Sequence, residues 1–103
     1  MSKSSTTVSE IIDIETSGNA VAITLEGRTI VSMAVRGDDP AEYQWDARET
    51  GGAWKEDVGK EYTGQPDYED VLETGAQEVR LRCSTGTGTP GDEADVLLMA
   101  GGS

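Results

Sequence analysis

The chain has no histidine, no phenylalanine and a single cysteine, Cys83. Without imidazole it lacks the side chain that most often moves protons near neutral pH and a common nitrogen ligand for zinc. One thiol excludes an internal disulfide and a cysteine-based metal site. Together these absences remove most familiar hydrolase and metalloenzyme constellations. Basic residues are scarce as well. Eight Lys and Arg stand against twenty Asp and Glu, giving a formal net charge of −12. No basic patch exists to displace counterions around phosphates, so nucleic acid is not an expected partner. No apolar run reaches the roughly 18 residues a membrane helix needs, so no membrane span is expected. The opening MSKSSTTVSE lacks the apolar centre of a signal peptide, from which we expect synthesis and first folding in a cytoplasm.

What remains is small, acidic and rich in glycine. At 103 residues the chain makes one domain, able to bury one compact core. A hydrophobic fraction of only 35% with 13 glycines points to a loop-rich, all-β design. The acidic residues are spread along the chain rather than gathered in a tail. Acidic excess, scarce Lys, absent Phe and abundant Thr and Gly resemble the bias of proteins from salt-loving archaea, which implies adaptation to molar salt. The physics agrees: this density of carboxylates repels itself in dilute buffer, and molar salt shortens the Debye length to about 3 Å.

The pattern centres on Tyr43 to Tyr62, YQWDARETGGAWKEDVGKEY. Tyr43, Trp45 and Ala47 alternate with Gln44, Asp46 and Arg48, the period of a strand with one buried face. Thr50-Gly51-Gly52 supplies a turn, and a second run opens at Trp54, so the stretch reads as a β-hairpin. Four of the five aromatics lie here, and Trp45 and Trp54 are both expected in the core. Before the hairpin come Ile12 and Ile14, which alternate with Asp13 and Glu15, then Val21, Ile23 and Leu25 as an inward face, then Val31, Met33 and Val35 as the more apolar face of a third strand. After it come a short run from Tyr68 to Leu72 and a strand with Val79, Leu81 and Cys83 on one side and Arg80 and Arg82 on the other. The last strand, Ala94 to Ala100, is apolar on both faces, which suggests cover from both sides. The expected fold is an antiparallel β-sandwich, jelly-roll-like, of seven to eight short strands. Residues 1–7 are expected to be a polar arm on a single domain, 8–103.

Candidate sites are few. Ala47 to Trp54 resembles a degenerate Asp-box, Ser-x-Asp-x-Gly-x-x-Trp, in which Gly51 and Trp54 match while Ala47 and Glu49 depart; in sialidases that motif is a folding element away from the active site. A Trp-bearing strand, a Gly-Gly turn, a second Trp and a closing Arg-Leu-Arg strand resemble small β-sandwich proteins of tailed-virus particles. That resemblance implies a non-enzymatic structural subunit: head decoration, turret, or tail or baseplate component. It would reside in the virion and contact other virion proteins and copies of itself.

The alternative is a carbohydrate- or host-surface-binding module, with Trp45, Trp54, Tyr62 and Tyr68 stacking sugar rings. Partner-binding residues are accordingly sought at Arg80, Arg82, Trp54, Tyr62 and Tyr68. No cofactor is expected. Oxygen ligands cluster at Asp38-Asp39 and at Asp92, Glu93 and Asp95, where a loop Ca²⁺ could sit, although neither stretch matches an EF-hand. Thr85 to Gly91, TGTGTPG, lacks the ending of a phosphate-binding loop and is read as a long hairpin loop at a subunit contact.

Overall fold

A computed structural model describes residues 5–101. Eight strands follow one another: β1 (Thr6–Asp13), β2 (Ala20–Thr24), β3 (Ile30–Gly37), β4 (Glu42–Arg48), β5 (Lys55–Tyr62), β6 (Asp67–Glu73), β7 (Glu78–Thr85) and β8 (Glu93–Gly101). They form two four-stranded antiparallel sheets, a first of order β1-β8-β3-β6 and a second of order β2-β7-β4-β5. Strands pair in a nested series, β4 with β5, β3 with β6, β2 with β7 and β1 with β8. That is a long antiparallel ribbon rolled into a sandwich, the jelly-roll arrangement.

Strand alternation places the core between the sheets. Val21 and Ile23, Val31, Met33 and Val35, Val79, Leu81 and Cys83, and Val96 and Leu98 all point inward and are buried. With no Phe available, Trp45 and Tyr43 are the largest fully buried side chains. Trp45 Nε1–H donates to the Tyr62 hydroxyl at 3.0 Å, which in turn donates to Asp70 Oδ2 at 2.6 Å. This relay runs from β4 through β5 to β6 and so fastens the second sheet to the first. Tyr68 packs edge-on against Tyr43 at 5.7 Å and tilted against Tyr62 at 5.6 Å, closing the same end of the core.

Three sequence expectations need correction. Trp54 is not core: it lies half-buried just before β5, outside the second sheet and against arginines. The cause is β5 itself, whose register against β4 shifts twice, with Asp57 at φ 61° and Gly59 at φ 74°. Such bulges re-aim side chains and spoil an edge for further pairing.

The stretch from Thr85 to Gly91 is not a hairpin loop, because β7 and β8 belong to different sheets. Its start is docked on the β1–β2 loop by Thr87 N–H to Ile14 O at 2.8 Å and Gly88 N–H to Glu15 O at 2.9 Å. A Cβ on Gly86 would collide with the Glu15 and Thr16 backbone, so this close approach requires glycine. Of the residues expected in a polar arm, Thr6 and Thr7 belong to β1 instead and pair with Ala100 and Met99. Met1–Ser4 lie outside the described residues.

Candidate functional site: the two outer faces of the sandwich

The outer face of the second sheet is a closed network of charges. Asp46 follows the inward Trp45 and points outward, yet it is fully buried. Pairing of β4 with β7 sets it opposite Arg80 and beside Arg82. Arg80 Nε donates to Asp46 Oδ2 at 2.7 Å, and Arg82 Nε donates to the same oxygen at 2.9 Å. The bulge in β5 adds the Asp57 N–H, which donates to Asp46 Oδ1 at 3.1 Å. Burial pushes the Asp46 carboxyl up, but the hydrogen bonds from Arg82, Arg80 and the Asp57 backbone reverse this and leave it below the usual carboxylate range.

Arg82 also meets Asp57 at 2.7 Å, and Arg80 reaches Glu56 at 3.6 Å. Arg48 pairs with Glu78 at 2.7 Å. The Trp54 ring packs against two guanidinium groups, Arg48 at 4.2 Å and Arg80 at 4.5 Å from its centroid. Three arginines are thereby matched by Asp46, Glu56, Asp57 and Glu78.

The outer face of the first sheet is different. Four large hydrophobic residues are exposed among those described: Ile11 (67%), Ile30 (37%), Val71 (55%) and Met99 (41%). Strand parity puts all four on this face. Registers place them in levels across the strands. One level reads Thr7, Met99, Ser32, Val71, and the next Ser9, Leu97, Ala34, Glu69. Ile30 lies beside Gly101 and Glu73. Across β1, β8 and β3 these levels carry no charge, in a chain that is 27% charged. The charges resume one level further on, at Asp95, Arg36 and Asp67.

The candidate residues separate accordingly. Arg80, Arg82 and Trp54 come together on the second sheet, engaged by partners within the chain. Tyr62 is buried in the core relay, and burial followed by its bond to Asp70 pushes its hydroxyl up to about 12. Tyr68 is half-buried, and its hydroxyl accepts from the Gln65 N–H at 2.9 Å. These rings form no common flat platform for a sugar.

The two acidic stretches meet at one end of the sandwich. Asp38 N–H donates to Glu93 O at 3.0 Å, and Glu93 N–H to Asp38 Oδ2 at 2.9 Å. Asp92 is buried and faces Asp39, whose carboxyl is raised first by that contact. Glu93 and Asp95 point outward instead. Among the described residues no group of three or more His, Cys, Asp or Glu is placed to hold a metal ion. A depression of about 580 Å³ is open and lies at the opposite end, where Arg48, Glu49, Lys55 and Gln77 contribute to its wall.

Sequence reasoning missed Asp46 and the outer-face residues Ile30, Ala34 and Val71. The available signal for the face was the two-sided apolar character of β8. For Asp46 there was none, since its arginine partners lie more than thirty residues away in sequence.

No family model matches the chain, and no curated protein matches it significantly. Among solved structures, the fold is similar to that of the SPBc2 prophage-derived protein YomS, with a TM-score of 0.65, 11% identity and 95% of each chain covered.

Proposed function

We propose that the chain is a non-enzymatic structural subunit of a virus particle, working in the virion of a tailed virus and adapted to high salt. The observation that carries this reading is the uncharged, solvent-facing band on the first sheet. A free-standing, highly acidic protein has no need of such a surface, whereas an assembly subunit does. The shared fold of a prophage-derived protein over nearly the whole of both chains supports the viral setting. A jelly roll also serves capsid and lectin domains, so the fold alone does not choose the role. Of twenty acidic residues only Asp46 and Asp92 are buried, which leaves the charge at the surface where salt screens it. Head decoration, turret, and tail or baseplate are the positions such a subunit would fill.

Mass spectrometry of particles purified from cells that carry the gene tests the reading. The protein should co-purify with the particles at a stoichiometry typical of structural components. Its presence in the cell lysate but absence from particles would overturn the proposal.

A further inference from the structure

We propose that the outer face of the first sheet, a band uncharged across β1, β8 and β3 and completed by Val71 on β6, binds the same band of a second copy, face to face. The inference rests on the structural-subunit reading only for the role of the contact, and it adds the surface and the partner.

The argument for a second copy is the pattern of large and small side chains. A two-fold axis running along the strands between β8 and β3 sets β8 over β3 of the second copy, and β1 over β6. Levels are kept, so Met99 meets Ser32, Leu97 meets Ala34, Ile30 meets Gly101 and Val71 meets Thr7, each twice. Within these three levels every large residue lands on a smaller one; Ile11, one level beyond, would face Asp67 of the second copy. Glu69, which Arg36 holds at 2.8 Å, faces the Ser9 hydroxyl of the second copy. The other in-plane two-fold, across the strands, stacks β6 on β6 and sets Glu69 against Glu73, which like charge disfavours.

Charge points the same way. Two chains of net charge −12 repel over most of their surfaces, and this band lets them touch without opposing carboxylates. Its only charges, Glu69 and Glu73, lie on the β6 edge, and Glu69 is already held by Arg36. Four strands about 4.8 Å apart and three levels about 6.8 Å apart give a footprint of roughly 400 Å². That is half of the ~800 Å² per partner in a standard interface. The contact is therefore concentration-dependent in free solution and completed by the crowding of subunits in a particle. Because its partners share a charge, it strengthens with salt.

Sedimentation velocity of the full chain, over a concentration series in dilute and in molar KCl, tests this. The average mass should rise toward that of a dimer with concentration, and further in molar salt. Met99→Glu and Ser32→Glu, both at exposed positions, should stay monomeric with unchanged melting temperatures. Ala22→Glu, on the outer face of the second sheet, should dimerise like the wild type. A wild type that stays monomeric throughout, or a Met99→Glu variant that dimerises normally, overturns the proposal. So does an association that weakens with salt. A monomeric wild type still incorporated into particles, with Met99→Glu excluded, would assign the band to a different particle protein. A dimer absent from particles would sink the structural-subunit reading and leave the contact standing.

Discussion

On the outer face of the second sheet, three arginines and four carboxylates close over one another, whereas the outer face of the first leaves Ile30, Val71 and Met99 in water. Both faces follow the same strand alternation, so the difference lies in what each polar-parity position holds. The second sheet spends these positions on groups that satisfy each other within the chain. The middle levels of the first sheet hold Ser, Thr, Ala and a few large apolar side chains that find no cover in the monomer, with Glu69 and Glu73 on the β6 edge. One face helps to hold the domain together, and the other is left open to solvent.

Substitutions should therefore rank by which surface they touch. Trp45→Ala, in the core between the faces, should cost about 3–5 kcal/mol in chemical denaturation, as for large aromatic truncations in packed interiors. Asp46→Ala should cost about 3 kcal/mol, because Arg80 and Arg82 lose the carboxylate they share and the Asp57 N–H loses its acceptor. The folded-state value of Asp46 is lowered, so its contribution is present above the ordinary 3.8 and disappears as pH falls through the lowered value. Acid melts of the variant and wild type should converge there. A cost below ~1 kcal/mol would make the network a surface ornament and erase the contrast between faces.

Tyr62→Phe should cost about 1–2 kcal/mol, since Trp45 Nε1 is left buried without an acceptor. Because the Tyr62 value is raised, its contribution is present below the ordinary 10 and fades as pH rises toward about 12. Tyr43→Phe should be neutral or stabilising, because that buried hydroxyl meets no partner among the described residues. Trp54→Ala should cost only about 1 kcal/mol, the scale of its contacts with Arg48 and Arg80. A loss as large as that of Trp45→Ala would return Trp54 to the core. Thermal melts of the wild type should rise with KCl as self-repulsion is screened; a flat or falling series would refute the salt-adapted reading.

Strand existence and facing were legible because single-residue alternation survives in short runs. Val79, Leu81 and Cys83 against Arg80 and Arg82 declare their two sides without any tertiary information. What could not be read was pairing between distant strands. The sequence shows that Arg80 and Arg82 share one side of a strand, but only the β4–β7 register says that they share Asp46. Trp54 was misplaced for a related reason: alternation carries through a regular strand, and β5 breaks it with two bulges that composition does not announce. The exposed band was legible only on β8, since Ile30, Ala34 and Val71 become neighbours of Met99 and Leu97 through sheet order alone.

The central claim is that the two outer faces serve different ends, and amide NMR over a concentration series in molar KCl tests it most directly. As the protein is concentrated, signals of Thr7, Ile30, Ser32, Val71, Leu97 and Met99 should shift together, while those of Ala22, Asp46, Arg80 and Arg82 stay still. Shifts confined to the second sheet, or none on either face, would contradict it.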